Sequence, residues 1–185
     1  MQITDEFLIS LLFRRTKQLC LPLLRFDMYK LRDEIIKNVF LDRFKDIDLV
    51  FVRQDTLACI VYTIDNSVRP TIFIHEILNH PNTPVNIISF IIKHELLHLL
   101  IDGREINGKY TSHPPEFLET ELKISPEYNL MYSWILLNIG FYVKFDKERE
   151  GIYIKKNWKQ YFRTGKISLG QIQELKQRFD DRIAL

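Results

Sequence analysis

Between Val85 and Ile101 the chain is apolar almost all round a helix: Val85, Ile87, Ile88, Phe90, Ile91, Ile92, Leu96, Leu97, Leu99, Leu100 and Ile101. A helix apolar on every side belongs at the centre of a fold. Thr83 is a good N-cap for it, Pro84 suits the first helical position, and Gly103 is expected to close its C-terminus. Polar residues inside such a helix are informative, because a buried polar or charged group is costly unless it has a partner. The telling exceptions are His94, Glu95 and His98.

These three fall in the run His94-Glu95-Leu96-Leu97-His98. Residues four apart on a helix lie nearly one above the other on the same face. Two imidazoles at that spacing can hold one zinc ion, and Glu95 is placed beside them to take a proton from the water that the metal activates. A catalytic zinc takes three protein ligands, so the third must come from downstream. His113 is the best candidate: it follows a glycine-bearing polar loop, Asp102 to Ser112, and Pro114 and Pro115 stiffen the chain behind it. Glu116, Glu119 and Glu121 are rivals, since a carboxylate on a following helix can also ligate zinc. Three imidazoles and an open position suit zinc better than the other divalent ions. Tyr110 and Tyr128 are candidates for a hydrogen bond to an oxyanion, with packing as their plainer role. The run from His75 to His80 looks similar but has one residue too many between its histidines. On a helix those rings would diverge by about 140°, and both are read as structural or surface residues.

Around this centre the sequence reads as an α+β chain. Thr4 caps a first helix running to about Leu19, and a second runs from about Asp27 to Phe44 with Met28, Leu31, Ile35 and Val39 on one face. Ile47 to Arg53, Leu57 to Ile64 and Thr71 to Leu78 are expected strands, rich in Val, Ile and Phe. Beyond His113 come a short helix to about Ile124, a helix from Glu127 to Ile139 stopped by Gly140, and a hairpin of Phe141–Phe145 with Ile152–Lys156. A last amphipathic helix follows from Ser168 to Ile183. No repeat or linker divides the chain. It is expected to form one domain over 1–185, with a core at about 45–130 and an extension at 131–185.

At 46% hydrophobic and 27% charged residues the chain is globular rather than disordered. A formal charge of +2 is too small to imply nucleic acid by itself. Cys20 and Cys59 give neither a disulfide framework nor metal-ligand spacing, so both are expected to be reduced core thiols in a reducing, cytoplasmic compartment. Met1 to Cys20 makes a poor signal peptide. The charges in the most apolar window argue against a membrane span. One clue to a partner is Lys155 to Lys166. There Lys155, Lys156, Lys159, Arg163 and Lys166 interleave with Trp158, Tyr161 and Phe162. Cations that meet phosphates and rings that stack on bases could bind single-stranded DNA. The plainer reading puts the rings in the core and the charges in water.

The strand Thr71 to Leu78, the helix with its two histidines, and His113-Pro114-Pro115-Glu116-Phe117 together resemble the SprT-like metallopeptidases, which include the Spartan-type proteases acting on DNA–protein crosslinks. The last segment matches that family's His-x-Pro-Glu-Phe pattern, fifteen residues beyond His98. The resemblance covers roughly Leu49 to Tyr128. It implies a zincin-like domain in which a small sheet flanks the active-site helix and its edge strand receives an extended substrate. It implies His94, His98 and His113 as zinc ligands and Glu95 as catalytic acid/base. The chain departs from many members in having no cysteine after Cys59, and so no C-terminal zinc ribbon. Its last third, from about Met131, matches nothing in the family. Three functions follow as expectations: a protein-cutting metallopeptidase, possibly DNA-associated; a processing protease with one dedicated target; or a zinc-stabilised binding module without catalysis.

Overall fold

The computed structural model describes residues 27–63, 67–146 and 150–162. The expected helices at Thr4–Leu19 and Ser168–Ile183, and Cys20, Arg163 and Lys166, lie outside the described residues. Helix α1 spans Met28–Phe40, and the Asp27 side chain caps it by accepting from the Lys30 amide at 2.9 Å. It buries Met28, Ile35, Ile36 and Phe40. It ends four residues before the expected Phe44, because Leu41 and Asp42 take left-handed backbone angles (φ 51° and 58°) that stop the helix.

Three strands form the main sheet: β1 Asp48–Val52, β2 Ala58–Val61 and β3 Thr71–His75. The order is β1-β3-β2, with β1 parallel and β2 antiparallel to the central β3. Ile72 and Ile74 of β3 are fully buried, and Leu49 and Phe51 of β1 alternate inward with them. The third strand stops at His75 and not at Leu78. The His75 ring nitrogen Nδ1 accepts from the Ile77 amide at 2.9 Å and starts a 3-10 turn, Glu76–Asn79. Ile77 and Leu78 stay fully buried through that change, so hydrophobicity alone did not mark it.

Helix α2, Val85–Leu97, buries Ile87, Ile88, Phe90, Ile91, Ile92, Leu96 and Leu97. Two expectations about its ends are corrected. Pro84 is the N-cap, in an extended conformation, so Thr83 sits one residue too far back to cap it. The Thr83 hydroxyl is buried with no hydrogen-bond partner. At the other end the helix tightens after Leu97 into turns in which Leu99 and Leu100 donate to Leu96 and Leu97. His98 keeps helical angles (φ −62°, ψ −19°). Gly103 does not close the helix. A Cβ there would lie 2.2 Å from the Tyr110 hydroxyl oxygen and 2.8 Å from the Thr111 carbonyl oxygen, so glycine permits a close chain crossing.

The expected polar loop 102–112 is a hairpin, β4 Arg104–Ile106 with β5 Lys109–Thr111. Asn107 and Gly108 turn it with φ of 52° and 76°, the two-residue geometry that favours Asn-Gly. Helices α3, Pro115–Ile124, and α4, Tyr128–Ile139, follow. As expected, the helix ends at Ile139 with Gly140 as its C-cap, and the chain continues into a 3-10 turn, Gly140–Tyr142. The last hairpin pairs β6 Val143–Asp146 with β7 Gly151–Ile154. Met131, Ile135, Ile139, Tyr142, Val143 and Tyr161 join the same buried cluster as α2 and the main sheet, so these residues share one core with the rest of the described chain.

Strand β7 also docks on the main sheet. The Leu57 amide donates to the Ile152 carbonyl at 2.8 Å, the Ile154 amide donates to the Asp55 carbonyl at 2.6 Å, and Thr56 bridges Tyr153 antiparallel. On the other side His75 donates to the Leu57 carbonyl. The antiparallel ladder alternates, so this bond directs the amides and carbonyls of Ala58 and Ile60 away from β3. Among the described residues no strand pairs with them, and they form an edge of the sheet beside α2.

His75 offers a test of this core. It is 1% exposed and its ring meets Trp158 edge-on at 4.8 Å. Burial, with the Arg53 charge, holds it down to about 4 from an ordinary 6.5. The unfolded chain binds the extra proton between those values, so the contribution is complete above about 6.5 and is lost as pH falls towards 4. Asn at this position can still accept from the Ile77 amide. Urea unfolding should therefore show wild type losing about 1–2 kcal/mol more than His75→Asn between pH 7 and pH 5.

Candidate metal centre

One helical turn of α2 sets His94 above His98, with ring centroids 5.1 Å apart. The β4–β5 hairpin and the two prolines after it bring His113 to the same place. Its ring centroid lies 5.0 Å from His94 and 4.9 Å from His98. One ligand nitrogen from each of the three rings lies within 4.8 Å of the others, the only such group of three among the described residues. The Nε2 atoms of His94 and His113 are 3.2 Å apart. Nitrogens about 2.0–2.1 Å from a tetrahedral metal stand roughly 3.4 Å from each other, so this pair is spaced as two ligands of one metal ion would be. Phe117, buried on α3, touches all three rings with centroids 4.6–5.1 Å away and forms a common floor.

The far nitrogens of two ligands are engaged. Nδ1 of His94 is bonded to Glu121 Oε1 at 2.6 Å, and Glu121 is 3% exposed. This arrangement leaves Nε2 of His94 facing the other imidazoles and fixes the ring, as a carboxylate behind a metal ligand does. Nδ1 of His113 meets the Ser112 hydroxyl at 3.2 Å and Glu150 Oε2 at 3.4 Å. Burial pushes the His98 and His113 rings down, to about 3 and about 4, with the His94 charge adding to both. They are therefore neutral and keep lone pairs for a metal. Burial presses His94 down most strongly, but its bond to Glu121 together with the charges of Glu95 and Glu121 leaves it raised.

Glu95 is 5% exposed beside this cradle. Burial lifts its carboxyl to about 7, against the pull of His94 and of the Ile60 amide of β2, which hydrogen-bonds it; Glu121 adds to the rise. A carboxyl poised near neutral pH can both take and return a proton.

The structure thus brings His94, Glu95, His98 and His113 together. The rival carboxylates stand elsewhere: Glu116 pairs with Arg104 at 2.8 Å on the surface, Glu119 is exposed, and Glu121 backs His94. Tyr128 stacks between Phe90 and Tyr132, and Tyr110 lies against Gly103. His75 and His80 pack on Trp158 and Tyr161. In the basic-aromatic stretch Tyr161 is buried and Trp158 half-buried, Lys155 donates to the Phe141 carbonyl at 2.8 Å, and Lys156 and Lys159 are exposed. Sequence reasoning missed Glu150. Its oxygen also accepts from Thr111, Ser112 and the His113 amide, 37 residues away. The pairing of β7 with β6 and with 55–57 places it there, and no local pattern announces the contact with 55–57.

The full chain is expected to bind one zinc ion, and His94→Ala, His98→Ala or His113→Ala to abolish that binding. Glu121→Gln should weaken it by about 10–100-fold. Chelator competition with metal analysis of the dialysed proteins measures both.

Comparison with family models, with curated proteins and with solved structures found no match to this chain.

Proposed function

We propose that this chain is a zinc-dependent metallopeptidase of zincin-like architecture that hydrolyses peptide bonds in protein substrates. The observation that carries this reading is the cradle of three converging imidazoles with the buried carboxylate of Glu95 beside it on the same helix. The sequence resemblance to SprT-like metallopeptidases points the same way. Zinc suits a donor set of three imidazoles with no fourth ligand residue in the cluster among the described residues. Bound there, zinc supplies the Lewis acidity that makes water acidic near neutral pH and offsets charge on an attacked carbonyl oxygen. His94, His98 and His113 hold it, and Glu121 fixes the His94 ring. Glu95 takes the proton of the attacking water and returns it to the leaving amine. The Ile60 amide on the edge of β2 holds the Glu95 carboxylate on the side where a substrate strand would lie. A purely structural zinc site needs no such base and usually takes a fourth protein ligand.

A second reading concerns the substrate. The β6–β7 hairpin occupies 55–57, the continuation of the β2 edge, and this favours a processing protease with restricted access over a general one. The DNA-associated alternative has less support, since Tyr161 and Lys155 of the basic-aromatic stretch are used within the fold.

The test is digestion of a denatured protein by the zinc-loaded chain, with and without single-stranded DNA. Wild type should cut, and Glu95→Gln should lose about 10²–10⁴-fold in rate while retaining zinc. DNA-dependent cleavage would restore the DNA-associated reading. Equal activity of Glu95→Gln and wild type would overturn the peptidase assignment.

A further inference from the structure

Glu150 stands at the turn into β7, yet its hydrogen bonds converge on the segment that carries His113. Its Oε2 accepts from the Thr111 hydroxyl at 2.7 Å, the Ser112 amide at 2.9 Å, the Ser112 hydroxyl at 3.2 Å and the His113 amide at 3.2 Å. The same oxygen lies 3.4 Å from Nδ1 of the His113 ring. One acceptor therefore fixes the main chain at the ligand and just before it, and faces the nitrogen opposite the cradle.

Glu150 is itself held in place. It takes a left-handed φ of 51° immediately before Gly151, the first residue of β7. β7 in turn is fastened to 55–57 by the Leu57–Ile152 and Ile154–Asp55 backbone bonds. A continuous chain of contacts runs from the sheet edge through β7 and Glu150 to His113. His94 lies in α2 and His98 is its C-cap with helical angles, so one element holds both. His113 follows a two-stranded hairpin, and an isolated hairpin is marginally stable at best in water. A ligand on such a segment gains most from an outside anchor.

We propose that Glu150 is the positioning residue for the third ligand, so that the C-terminal hairpin completes the metal centre built by residues 94–113. This rests on the metal-site reading above. By linkage, docking of β7 favours metal binding, and metal binding favours docking of β7 to the same degree.

The test uses the full chain as wild type, Glu150→Gln and Glu150→Ala. Zinc affinity is measured by chelator competition, metal-free stability by thermal unfolding, and exchange of the Ile154 amide with and without zinc. Gln keeps one acceptor oxygen and removes the charge, so it should fold as wild type does even if Ala does not. Glu150→Ala is expected to bind zinc about 10–100-fold more weakly and Glu150→Gln to fall between, with the metal-free stability of Glu150→Gln unchanged. Zinc should slow exchange at Ile154 in wild type and do so less in either variant. Equal zinc affinity in all three proteins would overturn the proposal and leave the metal site standing. So would an affinity loss that only tracks lost metal-free stability. A wild-type chain that binds no zinc would overturn both this proposal and the function above.

Discussion

The structure depends on how the polar groups of its most buried helix are satisfied. Helix α2 carries His94 and Glu95 into an interior of Ile, Leu and Phe, where an unpaired polar group costs on the order of 1–3 kcal/mol. Each partner comes from a different element. Glu121 on α3 reaches the back of His94, and the Ile60 amide on β2 reaches Glu95. Even Lys93, the preceding residue, donates to the Ile124 carbonyl at the end of α3 at 3.0 Å. Helices and sheet are therefore locked around α2 by directional bonds as well as by packing. The same bonds orient the groups that could do chemistry.

How much of this was legible in the sequence varied with the range of the interaction. The helical period alone puts His94 over His98, and an almost unbroken apolar run makes the helix central. The start of α1 near Asp27 and the three strands of the main sheet also follow from local pattern. Errors arose where a side chain or a tight turn redirected the backbone without a change in hydrophobicity. The His75 ring ended β3 inside the run Ile72 to Leu78, and Pro84 took the cap expected of Thr83. Asn107-Gly108 carried a readable hairpin signal that was passed over as loop. Glu121 was visible as a carboxylate near the site, but ligand and ring-holder differ only in which nitrogen of His94 it meets. That is a question of tertiary placement.

The mutual dependence of the two hairpins has the same origin. β4–β5 delivers His113, and β6–β7 delivers the carboxylate that steadies it. Separated by more than thirty residues, they meet because the second is registered on 55–57. Described residues between 131 and 162 contribute to the same core, and Glu150 reaches the same site.

That registration also sets how tightly the sheet edge can grip a guest strand. With 55–57 already covered by β7, only Ala58 and Ile60 within β2 present outward backbone groups, and the Ile60 amide is committed to Glu95. Among the described residues, the Ala58 amide and carbonyl and the Ile60 carbonyl are the three groups a guest strand could meet. At about 1 kcal/mol net per hydrogen bond they supply roughly 3 kcal/mol, which is weaker than millimolar binding. Backbone pairing here is too short to retain an arbitrary unfolded chain. Under the proposed peptidase function, recognition would have to come from side chains or from a surface beyond the edge, and selectivity would follow from how little of the strand is left bare.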